Sequence, residues 1–297
     1  MTIRNVTVAG AGVLGSQIAW QAAFRGFNVT VYDAFDRGLE VGRELHDRYA
    51  RLFNDTRGAS AEQIDQTFSR LTYTSDLAEA VADADITSES VPENLAIKQA
   101  FYGELGQLAP GRTIFTTNSS TLVPSQMVAF TGRPKRFLAL HFANIIWDHN
   151  IGEVMGHADT DSEVFQQVIE FARGLGMVPI PIHKEQHGYI INSLLVPFLG
   201  AAQDLLVRGV ADHESIDRTW MISMSTPMGP CGLMDVIGME TVVNVLQLRA
   251  AGGEPGIDER IAYFTKHFLD RNRLGTKTGE GFYRYPSPAF EQPDFLQ

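Results

Sequence analysis

His141 and Glu153, twelve residues apart, are the pair whose types and spacing could do chemistry. His141 ends a strand-like segment at 136–141, and Glu153 lies in the following one, at 152–155. Two neighbouring strands joined by a loop can set an imidazole beside a carboxylate. An imidazole titrating near neutrality can remove the proton of a hydroxyl group, which is what oxidation of an alcohol requires. A carboxylate behind it orients the ring and stabilises the imidazolium. The plainer reading of a lone His141 is a satisfied core histidine.

A second constellation stands at the chain start. An apolar run at 6–9 leads into Gly10-Ala11-Gly12-Val13-Leu14-Gly15, and a helical pattern begins at once. Gly10 permits the tight turn, Gly12 lets the backbone approach a pyrophosphate, and Gly15 lets helix pack on strand. Val13 and Leu14 then belong to a helix N-terminus, whose free N–H groups and partial positive charge suit phosphate. A second strand, 28–32, ends at Asp33, eighteen residues beyond Gly15. A carboxylate there accepts the ribose hydroxyls and repels a 2′-phosphate, so the expected cofactor is NAD and not NADP. The alternative, a glycine turn with a surface aspartate, fits the full strand–loop–helix context poorly.

The elements that must position these groups can be read from periodicity. Strand patterns fall at 6–9, 28–32, 71–74, 85–89, 113–117, 136–141, 152–155 and 177–182, with helical patterns at 13–25, 61–69, 95–108 and 162–175. Alternation of this kind predicts an α/β, Rossmann-type, doubly wound and mostly parallel sheet covered on both faces. After residue 182 strands disappear, and helical stretches at 188–208, 213–224, 233–250 and 258–271 take over. Pro179 and Pro181 followed by polar residues mark the expected boundary: a dinucleotide-binding domain at 1–183, and a smaller all-α domain at 184–297.

Bulk composition narrows the function classes. The chain has 297 residues, is 44% hydrophobic and 20% charged, and carries a net charge of −11 without a Lys/Arg cluster, which argues against a nucleic-acid surface. The apolar run at 189–207 is interrupted by Asn192, Ser193, Pro197, Gln203 and Asp204 and reads as a buried helix, not a membrane span. A single cysteine, Cys231, excludes a disulfide framework and reads as a packing residue. With no charged-then-apolar leader before the first strand, a cytoplasmic protein is expected. His149 and His157 lie at no metal-like spacing, so no metal is expected.

Five segments in order carry a resemblance: Val91-Pro92-Glu93-Asn94 with Lys98, Thr117-Asn118-Ser119-Ser120-Thr121, His141-Phe142-Ala143-Asn144, Gly188-Tyr189-Ile190-Ile191-Asn192 and Lys277-Thr278-Gly279-Glu280-Gly281-Phe282-Tyr283. Nearly the whole chain resembles the L-3-hydroxyacyl-CoA dehydrogenase family, 3-hydroxybutyryl-CoA dehydrogenases included. The resemblance implies a Rossmann-type domain followed by a helical domain of the 6-phosphogluconate dehydrogenase C-terminal type, a homodimer, an acyl-CoA thioester substrate and a place in fatty-acid metabolism. It implies His141 as base in oxidation and acid in reduction, with Glu153 orienting it. Ser120 and Asn192 would bind the 3-oxygen, although a helix cap or turn is the plain reading of Ser120 and an internal helix bond that of Asn192. Glu93, Lys98, Ser120, Asn144 and Lys277 match positions around the cofactor, and Lys98 reads as readily as an ordinary surface charge.

Two stretches depart from the family. After the His-Phe-x-Asn motif the chain reads Ile145-Ile146-Trp147-Asp148-His149-Asn150, which sets a bulky and an acidic residue where substrate is expected. The lysine-rich helix that holds CoA in the family is matched by Arg43, Arg48, Arg51 and Arg57 mixed with acids, a pattern also typical of a solvated helix face. The substrate expected is a short-chain (3S)-3-hydroxyacyl-CoA. The rivals are a dehydrogenase of a free 3-hydroxy acid of the sugar-acid or carnitine type, and a non-catalytic NAD-binding structural protein.

Overall fold

Alternating valines write the first strands. β1 (Asn5–Ala9, NVTVA) and β2 (Asn28–Tyr32, NVTVY) bury Val6, Val8, Val29 and Val31 almost completely. The computed structural model describes residues 2–297. The chain then runs through α1 (Val13–Phe24), α2 (Asp36–Arg57), α3 (Ala61–Ser69), β3 (Leu71–Thr74), α4 (Leu77–Val81), β4 (Ile86–Glu89), α5 (Leu95–Leu108) and β5 (Ile114–Thr117). β6 (Phe137–Phe142), β7 (Ile151–Met155), α6 (Ser162–Gly174) and β8 (Val178–Ile182) complete the sheet.

The eight strands pair in the order β3-β2-β1-β4-β5-β6-β7-β8. All neighbours are parallel except β6 and β7, which run antiparallel with His141 directly opposite Glu153. Strand order reverses between β1 and β4, and open α/β sheets bind ligands in the crevice outside the C-terminal strand ends at such a point. Ala9, Glu89 and Thr117 end β1, β4 and β5 there. Helix starts are capped as their residue types dictate: Ser60 and Gln63 form a capping box on α3, and Asp76, Asn94 and Asp161 cap α4, α5 and α6. α2 is amphipathic, with Leu39, Gly42, His46, Tyr49 and Phe53 buried at three- and four-residue spacing.

Residues 1–192 form one compact unit and residues 193–297 a second, a division later in the chain than the expected one after residue 183. Local contacts explain the difference. Residues 184–192 stay with the sheet because Glu185 accepts from Ser125 N at 2.7 Å, and Glu153 accepts from Ile190 N and Ile191 N at 2.8 and 3.0 Å.

The second unit is helical: most of α7 (Ile191–Val207), then α8 (His213–Met224), α9 (Pro230–Ile237), α10 (Met239–Ala251) and α11 (Ile257–His267). The single helix predicted at 233–250 is in fact two, bent by 96°. Gly238 between them has φ of 92°, a conformation that ends α9 and that only glycine adopts without strain. Asp217 accepts from Cys231 N and Gly232 N at 2.7 and 2.9 Å, capping α9 from a neighbouring helix. Asp235 accepts from Phe282 N, Tyr283 N and the Tyr285 hydroxyl at 2.7, 2.9 and 3.0 Å, which pins the C-terminal segment to α9. Burial, with Asp217 and Asp235 nearby, pushes the Cys231 thiol up and keeps it neutral. Among the described residues no single helix is long and apolar enough to cross a membrane.

Candidate active site

The glycine loop has the shape a dinucleotide needs. Gly10 has φ of 103°, and a Cβ there would lie 2.5 Å from Ser90 O. A Cβ on Gly15 would lie 1.9 Å from Gly10 O, so no side chain fits between loop and helix. Gly12 is different: nothing lies within 4 Å of its Cβ position, and it begins α1 with no side-chain cap and no acid in the first turn. The exposed Val13 and half-buried Leu14 continue that open helix end, whose N–H groups are free to meet phosphate. Asp33 stands beside it, accepting from Ala11 N at 3.0 Å and Phe35 N at 3.1 Å. The carboxylate is thereby fixed to the loop. An open Gly12, an uncapped helix start and a tethered acid fit the pyrophosphate and ribose of NAD.

Across the sheet, Glu153 Oε2 accepts from His141 Nδ1 at 2.9 Å, and both side chains are buried. With Glu153 accepting at Nδ1, the neutral imidazole carries its proton there and presents Nε2 as an acceptor. The Ser120 hydroxyl donates to that Nε2 at 3.1 Å. Glu153 Oε1 faces the Ile190 and Ile191 N–H groups, so one carboxylate holds both the imidazole and the start of α7. The Tyr189 ring lies against the imidazole, with centroids 4.6 Å apart and planes inclined by 29°. Tyr189 reaches that position with φ of 55° in the turn before α7. Asn192, one residue into α7, points its Nδ2 at Ser120 O, 3.5 Å away. His141, Glu153, Ser120 and Asn192 are therefore brought together.

The loop that carries Ser120 is tied on both sides. Glu93 Oε1 accepts from Ser119 Oγ at 2.5 Å, Thr121 N at 3.0 Å and Thr121 Oγ1 at 2.7 Å. Burial works against charge on Glu93, but these hydrogen bonds and the Lys98 ammonium outweigh it and hold the carboxyl below its ordinary range. Lys98 is no surface charge: its side chain is 1% exposed, and Nζ meets Glu89 Oε1 at 2.5 Å, Val91 O at 3.2 Å and Glu93 Oε2 at 3.4 Å. The lysine faces inward near the start of α5, which Asn94 caps.

The chain matches the model of the 3-hydroxyacyl-CoA dehydrogenase NAD-binding domain over residues 5–186, and that of the family's C-terminal domain over residues 188–285. The chain belongs to the 3-hydroxyacyl-CoA dehydrogenase family. The mitochondrial hydroxyacyl-coenzyme A dehydrogenase of Rattus norvegicus is 32% identical over 295 residues, covering 95% of this chain and 91% of that one. A probable 3-hydroxybutyryl-CoA dehydrogenase of Bacillus subtilis is 32% identical over 288 residues, covering 96% and 98%. Among solved structures, a diketoreductase described for dual catalysis of dicarbonyl compounds is 49% identical, with a TM-score of 0.92 over 96% of this chain and 100% of that one. As a family member the chain is an NAD-dependent oxidoreductase acting on a CH–OH group.

Within this dehydrogenase framework the departures find structural places. Trp147 packs edge-on against Tyr49 and Phe53 of α2, with centroids 5.0 and 5.2 Å away, so its indole belongs to an aromatic cluster. Asp148 ion-pairs with Arg57 at the end of α2. Arg43 lies over the Tyr73 ring at 3.8 Å. Arg48 and Arg51 lie on the same helix, both exposed. The loop after β6 is held by Gln17 of α1, whose Oε1 accepts from Ile145 N at 2.7 Å. Asn144 in that loop is exposed, and its carbonyl accepts from His149 Nδ1 at 2.9 Å. His157 bonds Pro134 O at 3.0 Å. Lys277, in the second unit, meets Glu240 at 2.8 Å. Sequence reasoning missed Glu89 and Tyr189. The signal for Glu89 was its place at the C-terminal end of a strand, and for Tyr189 its place inside a recognised motif.

Proposed function

We propose that the chain interconverts a short-chain (3S)-3-hydroxyacyl-CoA and its 3-oxoacyl-CoA. The observation that carries its acid–base step is the arrangement of His141, with Nδ1 on Glu153 and an accepting Nε2 turned to Ser120. In oxidation the 3-hydroxyl proton passes to Nε2, and Glu153 stabilises the imidazolium that forms. NAD, when bound, supplies the chemistry of hydride exchange with C3. Gly10, Gly12, Val13, Leu14, Gly15 and Asp33 would hold its adenosine and pyrophosphate, and Glu93 and Asn144 match the family's positions around the cofactor. In reduction His141 returns the proton, while Ser120 and Asn192 donate to the 3-oxygen and stabilise its developing charge.

A second reading has a specific observation behind it: the 49% identity with a diketoreductase described for dicarbonyl compounds. Two of the four arginines on α2 point the same way, since Arg43 and Arg57 already have partners within the protein. The substrate would then be a free 1,3-dicarbonyl compound or 3-hydroxy acid, reduced or oxidised by the same four residues. Consumption of NADH with acetoacetyl-CoA and with free acetoacetate at equal concentrations separates the two. The thioester reading expects faster turnover of acetoacetyl-CoA. Faster turnover of the free acid would remove CoA from the proposal and leave the dicarbonyl reading.

A further inference from the structure

Ser120 is half-buried on a loop, yet its hydroxyl meets His141 Nε2 at hydrogen-bond distance. A loop hydroxyl keeps such a geometry only if its neighbours are fixed. Both neighbours are fixed by Glu93, which takes the Ser119 hydroxyl and the Thr121 backbone and hydroxyl on one oxygen. Its other oxygen lies 3.4 Å from Lys98 Nζ. Lys98 is anchored in turn by Glu89, a carboxylate with no exposed side-chain surface. Glu89 also accepts from Val91 N at 2.9 Å, Tyr102 OH at 3.1 Å and Thr117 Oγ1 at 2.7 Å. Thr117 ends β5, and its hydroxyl receives Ser119 N at 3.2 Å. The network thus starts on two strand ends and one helix and closes on the two residues that flank Ser120.

We propose that Glu89, Lys98 and Glu93 form a positioning chain that holds Ser120 against His141, so that Lys98 acts on turnover through Ser120. Lys98 Nζ donates to Glu89 Oε1 and Val91 O, and the Glu93 carboxylate completes the charge pairing at 3.4 Å, so the ammonium ties the buried Glu89 to the residue that holds the loop. Glu93 is the link, its side chain 38% exposed and its acceptor oxygen fully used by the loop. The proposal rests on the reading of His141 and Ser120 as the reacting pair.

The test is a double-mutant cycle between position 98 or 93 and Ser120. Lys98→Met is expected to lower kcat for acetoacetyl-CoA reduction by roughly 10- to 100-fold, the scale of a small misplacement at a reacting centre. NADH affinity is read alongside by fluorescence titration, so that kcat is compared at saturating NADH in every variant. In a Ser120→Ala background the same change is expected to have almost no further effect on kcat, and Lys98→Arg is expected to restore part of the loss in the native background. Glu93→Gln is carried through the same cycle, because it sits nearer the surface and keeps the fold if Lys98→Met does not. Equal losses in both backgrounds at saturating NADH would overturn the positioning chain. If Ser120→Ala alone leaves turnover unchanged, the reading of the reacting pair fails instead, and the positioning chain fails with it.

Discussion

Replacing Glu153 with glutamine removes one charge and almost no volume, and the places of its two oxygens decide the outcome. Glu153 offers one oxygen to His141 Nδ1 at 2.9 Å and the other to Ile190 N and Ile191 N at 2.8 and 3.0 Å. Glutamine has one acceptor oxygen and one NH2 group, so only one of these two places keeps its acceptor. If the oxygen stays on the imidazole, two half-buried backbone N–H groups face an NH2, at about 1–3 kcal/mol each. If the oxygen stays on the backbone, the NH2 donates to Nδ1 and the imidazole proton moves to Nε2, where it can bond Ser120 Oγ. The second arrangement wins because it leaves no donor orphaned, and it leaves His141 in the tautomer that cannot act as base. The same exchange of carboxylate for amide in the serine-protease triad costs about 10⁴ in kcat, so Glu153→Gln is expected to lose on the order of 10³–10⁴ in alcohol oxidation. Stability should change much less, by roughly 1–3 kcal/mol for a lost charged hydrogen bond, or only a few degrees in Tm. Initial rates of NADH formation from 3-hydroxybutyryl-CoA, with thermal unfolding measured alongside, check both numbers. A variant within tenfold of native kcat would refute the tautomer argument, and a variant that unfolds outright would refute the ranking of the two arrangements.

His46 is buried against Ser16 O and Tyr73, and burial lowers its pKa from 6.5 to about 4. Below about pH 6.5 the unfolded chain takes a proton that the folded chain refuses, so stability falls as pH drops toward 4 and then levels off. The loss is at most about 3 kcal/mol, and about 2 kcal/mol of it is reached by pH 5. Urea unfolding at pH 7 and pH 5 should show that loss in the native chain and not in His46→Gln; equal losses in the two would count against it. Gly12→Val is expected to weaken NADH binding at least tenfold with Tm unchanged, since its Cβ position is open. Gly15→Val should fail to fold stably, since its Cβ would lie 1.9 Å from Gly10 O; the same unfolding behaviour in both variants would contradict the contrast. Asp235→Ala orphans two backbone N–H groups and a tyrosine hydroxyl, at roughly 3–5 kcal/mol together, which calorimetry would register as a large fall in Tm. A Tm within a degree or two of native would show that this clamp contributes little.

The sheet was legible in the sequence because its strands announce themselves locally. Val6, Val8, Val29 and Val31 alternate with polar residues, and β1 to β5 each close on a glycine, an acid or a small polar residue. The antiparallel pairing of β6 and β7 is allowed by the short loop between them, and it is that pairing which sets His141 opposite Glu153. What escaped depends on side-chain direction and on contacts distant in sequence. Lys98 reads from the sequence as a cofactor neighbour or a surface charge, because a 3.6-residue period in α5 does not say which residue meets the end of β4. Trp147 stands close to His141 along the chain, yet its ring turns to Tyr49 and Phe53 of α2. Gly238 inside an apolar helical pattern is tolerated in many helices, and only its φ of 92° reveals the break. Glu153 as a holder of the α7 start was invisible for the same reason: the partner atoms are backbone N–H groups, which no residue type advertises.

In the mechanism proposed, His141 moves the alcohol proton of an NAD-dependent reaction at C3 of a 3-hydroxyacyl thioester. The most direct measurement is the rate of NADH consumption with acetoacetyl-CoA by the native chain and by His141→Ala, at saturating NADH. Measurable turnover by the native chain and a loss of about 10²–10⁴ in the variant are predicted, the usual contribution of general acid–base catalysis. A His141→Ala protein that reduces acetoacetyl-CoA at the native rate would contradict the role given to the imidazole.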